Sequence, residues 1–213
     1  MRVAFFGCRG KVGSEICPAL ESAGYSVMGV DIGTVFDLHG IDAVIDFTQA
    51  DAVVKNVLDA LAHGIPCIVG TTGFSRDQLA KLDKSAREAG KPVFVAANFA
   101  IGAVLMMRFA REAAHYMERA EIVEFHHETK KDAPSGTAKV TAEMMGSNPT
   151  IHSVRLPGLV AHQEVLLAGV GQLLTIRHDT FSRKAYLPGI LLALQKLPKL
   201  PPGLTEGLDA LLG

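Results

Sequence analysis

Four apolar residues, Val3-Ala4-Phe5-Phe6, run straight into Gly7-Cys8-Arg9-Gly10-Lys11-Val12-Gly13, and no other stretch narrows the choice of fold so far. An unbroken apolar run fits a parallel strand buried on both faces. The apolar residues Val12, Ile16, Ala19, Leu20 and Ala23 then recur at helical spacing, with Gly24 as the stop and Pro18 as an awkward interior residue. A second strand over residues 25–30 leads to Asp31, eighteen residues after Gly13. Strand, glycine turn, helix, strand and acid in that order make a dinucleotide-binding unit. Glycines let the backbone approach a pyrophosphate, the helix N-terminus presents N–H groups to it, and the carboxylate accepts the ribose hydroxyls. Asp31 is followed by Ile32-Gly33 and not by an arginine, so NADH is the preferred cofactor. Arg9 in the neighbouring loop leaves NADPH open, and Lys11 adds a cation beside the phosphates.

The winding continues through a strand over residues 43–47, a helix over 51–63, a strand over 66–69, a helix over 76–89 and a strand over 92–96. Gly70-Thr71-Thr72-Gly73 falls at the C-terminal end of a strand, where open parallel sheets bind ligands; its plain reading is an ordinary strand-to-helix turn. After Ala97-Asn98-Phe99 the pattern changes. Residues 101–117 have the apolar spacing of a long helix bridging two domains, and strands over 151–156, 164–167 and 173–178 suggest an antiparallel sheet with Leu174, Ile176 and His178 on one face. A last apolar helix around residues 190–194 is expected to pack back on the first domain. The expected architecture is therefore α/β: an N-terminal Rossmann-type parallel sheet, residues 1–98 with 183–213, and a second α+β substrate and oligomerisation domain, residues 99–182.

Charge excludes some partners. Lys and Arg number 21 against 22 Asp and Glu, so no basic field draws the chain to nucleic acid or an anionic membrane. No apolar run approaches the ~20 residues a bilayer core requires. Cys8, Cys17 and Cys67 form neither a CxxC nor an even set, and no histidine spacing marks a metal site, so no metal and a reducing cytoplasm are expected.

Residues 124–138 gather His126, His127, Lys130 and Lys131 between a strand-like run and a helix start at Pro134-Ser135-Gly136-Thr137. Neighbouring strand residues face opposite ways, so either one histidine points into a pocket or the strand ends between them. Imidazole suits proton donation near neutral pH, lysine suits an anion, and a helix start capped by Ser135 with Gly136 open to a ligand favours a carboxylate. A solvated basic loop is the competing reading.

These motifs resemble the 4-hydroxy-tetrahydrodipicolinate reductase (dihydrodipicolinate reductase) family over essentially the whole chain. The likeness rests on the Gly7 to Gly13 loop, Asp46-Phe47-Thr48, Gly70 to Gly73, Ala97 to Gly102 and above all His126-His127 through Lys130 to Asp132-Ala133-Pro134-Ser135-Gly136-Thr137-Ala138. It implies that His126 donates a proton, Lys130 is a second acid or electrostatic partner, and His127, Gly136 and Thr137 hold a cyclic dicarboxylate. It implies cofactor contacts at Gly7, Cys8, Arg9, Gly10, Lys11, Val12, Asp31, Gly70, Thr71, Thr72, Ala96, Ala97, Asn98 and Phe99, and a homotetramer. Departures are Lys11 where arginine is common, Gln49 where some relatives carry arginine, and a shortened stretch between Met145 and Ile151. Another NAD(P)-dependent oxidoreductase, such as an amino-acid dehydrogenase, or a non-enzymatic dinucleotide sensor are the alternatives.

Overall fold

The computed structural model describes residues 1–213. In chain order the elements are β1 (Arg2–Phe6), α1 (Gly13–Ser22), β2 (Ser26–Val30), β3 (Ala43–Asp46), α2 (Ala50–Ala62), β4 (Cys67–Val69), α3 (Arg76–Glu88) and β5 (Pro92–Val95). There follow α4 (Ile101–Ala113), β6 (Arg119–His126), α5 (Gly136–Met145), β7 (Thr150–Arg155), β8 (Ala161–Gly169), β9 (Gln172–Thr180), α6 (Leu187–Lys196), β10 (Gly203–Glu206) and α7 (Asp209–Leu212). They form two compact units, Met1–Phe99 with Tyr186–Gly213, and Ala100–Ala185.

The first unit is a six-stranded, all-parallel sheet in the order β10-β5-β4-β3-β1-β2. Its central strands are buried on both faces, as their continuous apolar sequence requires: Val3, Ala4, Phe5, Val44, Ile45, Cys67, Ile68, Val93 and Phe94 are fully covered. Chain order reverses between β1 and β3, and such a switch point is where parallel sheets leave a crevice at their C-terminal edge. Pro18 stays inside α1, and the Ser22 hydroxyl donates back to its carbonyl at 2.9 Å. At the entry of α3, Ser75 and Gln78 close a capping box: the Gln78 N–H donates to Ser75 Oγ and the Ser75 N–H to Gln78 Oε1. Helix α6 packs against α1 through an apolar face that buries Ile190, Ala193 and Leu194. Gly189 admits the Phe99 carbonyl, 2.1 Å from where a Cβ would stand.

The second unit is a four-stranded sheet, β7-β6-β8-β9, with α4 and α5 on one face. Two expectations are corrected by the structure. The sheet is mixed, because β7 runs parallel to β6 while β8 and β9 are antiparallel. Helix α5 lies between β6 and β7 in sequence, and a helical crossover returns the chain in the same direction. Helix α4 ends at Ala113 and not near residue 117, since the Glu118 N–H already donates to Ala168 O at the start of the sheet. On β9, Leu174, Ile176 and His178 share a face by alternation; Ile176 and His178 are half-buried and Leu174, nearer the hairpin, is exposed. Strand β10, four residues behind Pro201-Pro202 that pair in parallel with β5, carries no strand pattern in the sequence.

Candidate active site

In the first unit the glycine loop is set by close backbone contacts. Gly7 takes φ +87°, and its N–H donates to Val30 O at 2.8 Å. A Cβ on Gly13 would lie 2.3 Å from Gly7 O and 2.6 Å from Cys8 Cα, so α1 packs on the loop only because that position is bare. Asp31, at the end of β2, accepts the Arg9 N–H at 2.9 Å and the Cys8 thiol at 2.8 Å, both on Oδ2. Burial, then the Asp31 carboxylate, push the Cys8 thiol above its usual range. Gly29 makes this possible, since a Cβ there would meet Cys8 Sγ at 2.7 Å.

Beside the loop, at the switch point, lies a cleft of about 500 Å³ lined by Gly7, Gly10, Asp31, Phe36, Phe47, Thr48, Gln49 and Asn56 among others. Gly7, Gly10 and Asp31 come together there as the motif required. Gly70, Thr71, Thr72 and residues 96–99 do not line it; they sit at the neighbouring strand ends. Phe47 joins these groups. Its ring stacks on Phe5 with centroids 5.7 Å apart, tilts against Phe99 at 5.5 Å, and fills the space a Gly70 Cβ would need, 2.1 Å away. The Thr71 hydroxyl donates to Thr48 O at 3.1 Å. Ala96 and Phe99 are buried, while Ala97 and Thr72 are exposed. Asp46, fully buried, anchors the turn by accepting the Thr48 N–H, the Thr48 hydroxyl and an Asn56 amide N–H at 2.6–2.8 Å. Burial raises its pKa despite those three bonds. Asp46-Phe47-Thr48 carries the family resemblance in sequence, and in the structure Phe47 packs while Asp46 ties the turn.

The loop and cleft fit a dinucleotide. They combine a bare backbone cradle, a helix N-terminus and a carboxylate whose Oδ1 takes neither of those two bonds.

In the second unit β6 ends at His126, so His126 and His127 part company. His126 lies on the face covered by α5, whereas His127 turns into the loop with Nδ1 2.8 Å from the Thr129 hydroxyl. Strand alternation puts Glu124 on the same face as His126, and this carboxylate, fully buried, is the centre of the cluster. It accepts two bonds from the Arg155 guanidinium, at 2.7 and 2.9 Å, one from the Ser135 N–H at 3.2 Å, and lies 2.5 Å from His126 Nδ1. Arg155 also donates to Asp132 O at 2.8 Å. Burial pushes the Glu124 pKa up, but Arg155 foremost, with Ser153 and His126, holds it below the usual range. Burial lowers the His126 pKa; Glu124 pulls it up, and Lys130 and Arg155 press it down further. Lys130 Nζ donates to the Asp132 carboxylate at 2.7 Å.

Ser135 caps α5, its hydroxyl accepting the Ala138 N–H at 3.3 Å, and nothing lies within 4 Å of a Cβ on Gly136. Thr137 is held from behind: its carbonyl accepts the Thr141 hydroxyl, which accepts in turn from Gln163 on β8. His126, Lys130 and the start of α5 are thus gathered in one unit. Glu124 and Arg155 are the members that residue patterns missed. Glu124 had a signal in its i, i+2 spacing to His126, but Arg155 comes from a distant strand and had none.

Two family models match the chain: "Dihydrodipicolinate reductase, N-terminus" over residues 22–99 and "Dihydrodipicolinate reductase, C-terminus" over residues 102–212. The 4-hydroxy-tetrahydrodipicolinate reductase of Mycolicibacterium smegmatis is 42% identical, covering 100% of this chain and 99% of the relative. That of Moorella thermoacetica is 41% identical, covering 100% and 98%. Among solved structures, the dipicolinate-bound dihydrodipicolinate reductase from Paenisporosarcina sp. TG-14 superposes with a TM-score of 0.85 at 31% identity, covering 100% of this chain and 99% of the other. An amine dehydrogenase from Mycobacterium smegmatis, at 11% identity and TM-score 0.69, covers 96% of this chain and 94% of its own and shares the fold alone.

Proposed function

The chain belongs to the dihydrodipicolinate reductase family, and from that premise we propose that it reduces 4-hydroxy-tetrahydrodipicolinate to tetrahydrodipicolinate with His126 as the proton donor. The enzyme is an NAD(P)H-dependent oxidoreductase, and its substrate is a small cyclic dicarboxylate. Whole-chain identity near 42% to reductases outweighs the fold-only likeness to an amine dehydrogenase.

When bound, the reduced nicotinamide supplies the hydride. The residues to hold the dinucleotide are the Gly7, Cys8, Arg9, Gly10, Lys11 and Val12 loop, Asp31, Gly70 to Thr72 and Ala96 to Phe99. Asp31 leaves Oδ1 to a ribose hydroxyl and repels a 2′-phosphate, which supports NADH as the preferred form. Loss of the 4-hydroxyl as water leaves a ring double bond conjugated with the imine; hydride addition to the far carbon of that system leaves an enamine, and protonation at carbon completes the reduction. His126 supplies that proton from Nε2, because Nδ1 is engaged by Glu124. Its depressed pKa makes the imidazolium a ready donor, and a bound dianion favours the charged form again. Gly136 and Thr137 N–H groups at the start of α5 receive a carboxylate, with Lys130 and His127 beside it.

The observation that carries the site reading is the shared anchor. His126 and the Ser135 N–H are tied to one buried carboxylate, so the acid and the anion site are built as one piece.

The assay is direct. Pyruvate and aspartate semialdehyde are condensed enzymatically, the protein is added, and oxidation of NADH and NADPH is followed separately. Turnover with a lower KM for NADH is expected; a lower KM for NADPH would reverse the cofactor preference, and silence with both would sink the function. Lys130→Ala should raise the substrate KM by about tenfold and slow turnover, the loss of one charge-assisted contact. An inert substitution would make Lys130 a solvent-facing partner of Asp132 only.

We also assign the open face of the second sheet to subunit assembly, as a homotetramer in the cytoplasm. Support comes from half-buried Val123, Phe125 and Leu166 on the face away from α4 and α5, with Arg177 over the Phe125 ring at 5.4 Å.

A further inference from the structure

We propose that Glu124, backed by Arg155, is a positioning residue: it fixes which nitrogen of His126 carries the transferable proton and keeps that nitrogen in register with the start of α5. The inference rests on His126 being the acid of the reductase reaction and adds the device that aims it.

The sheet register makes the arrangement. Glu124 and His126 alternate onto one face of β6, and the parallel partner β7 sets Ser153 beside Glu124 and Arg155 beside His126. Arg155 therefore reaches diagonally to Glu124 with both terminal nitrogens, a bidentate geometry that a lysine cannot reproduce. A carboxylate offers about four lone-pair sites. Here Arg155 takes two, the Ser135 N–H one and His126 Nδ1 one, and the Ser153 hydroxyl donates as well, so the carboxylate is met by donors on every side and can only accept from Nδ1. The imidazole Nδ1 is accordingly the protonated nitrogen in the neutral ring, and Nε2 is the atom that gains and loses the catalytic proton.

Arg155 gives the same carboxylate a counter-charge. Alone, a buried anion 2.5 Å from the imidazole would hold the imidazolium too firmly for it to act as an acid. The charged groups facing His126 are Glu124 on its own strand, Arg155 on β7, and Lys130 and Asp132 in the loop. Strand β8 opposes it with Ala161, and α5 opens on the uncharged Gly136, Thr137 and Ala138, with Lys139 exposed. Arg155 also bonds Asp132 O while Glu124 bonds the Ser135 N–H, so the pair grips the turn into α5 at both ends.

Two measurements test this. In protein labelled with 15N-histidine, neutral His126 should show a protonated Nδ1 and a bare Nε2, without any substrate present; the opposite tautomer would overturn the proposal. This readout stands even if the substrate assay fails, so the loss of one reading is distinguishable from the loss of the other. The second is the pH profile of kcat in folded variants, checked by melting and NADH binding. Arg155→Met should move the limb at which the proton donor is lost upward by about one pH unit, and Glu124→Gln should move it downward by a similar amount. A structural role alone would lower activity with both limbs in place, and that result would overturn the assignment.

Discussion

Replacing His126 by glutamine lowers kcat by about 10²-fold or more, the usual cost of losing a general acid, while NADH affinity stays near that of the parent enzyme. Glutamine is the informative choice because its amide reaches about as far as Nε2 and keeps a polar, uncharged group there, while the Arg155 pair to Glu124 stays in place. What the amide cannot do is release a proton to an enamine. The loss should therefore fall on kcat, with a smaller change in substrate KM, since the start of α5 and Lys130 remain. Steady-state kinetics with a fluorescence titration of NADH make the comparison. Unchanged turnover would remove His126 from the reaction and return the loop to the solvated reading.

Gly13→Ala is expected to weaken both the fold and dinucleotide binding, against the helix propensity of the substitution. Alanine at a helical position gains about 1 kcal/mol over glycine. At Gly13 the added methyl meets backbone on two sides, Gly7 O at 2.3 Å and Cys8 Cα at 2.6 Å, and neither can swing aside as a side chain would. Overpacking of this kind costs about 1–3 kcal/mol and more where backbone must shift, so the net effect is a loss of roughly 2 kcal/mol and a fall in Tm of several degrees. Because the displaced backbone is the glycine loop itself, the Kd for NADH should rise more than tenfold. Gly136→Ala is the control: its Cβ meets nothing within 4 Å, and the variant should melt like the parent. A Gly13→Ala protein that melts higher and binds NADH normally would show that α1 is not seated on the loop.

The order of strands and helices in the first unit was legible because a parallel strand buried on both faces leaves an unbroken apolar run, and glycine marks each turn. Val3 to Phe6 and Gly7 to Gly13 carry that signal locally. Ser135 at the head of α5 was legible for the same reason, since a cap acts on its own first turn. What escaped depends on pairing between distant residues. Nothing near Leu204-Thr205 announces that they lie beside Val93 and Phe94, and nothing near Arg155 announces Glu124. The direction of β7 was missed because alternation reports faces and is blind to direction. Cys8 lies in the loop as expected, but its bond to Asp31 depends on Gly29, whose bareness has no meaning until the two strands are side by side.

Strand β10 sets an order of events in synthesis. Its partner β5 leaves the ribosome early, yet its hydrogen-bonding edge is covered only after the whole of Ala100–Ala185 and α6 have been made. Until then the half-built sheet shows a bare, apolar rim of Pro92–Val95, the kind of edge that recruits strands from other chains. The inserted unit thus separates the two halves of one sheet in time, and a nascent chain stalled before residue 203 is the form of this protein most exposed to aggregation.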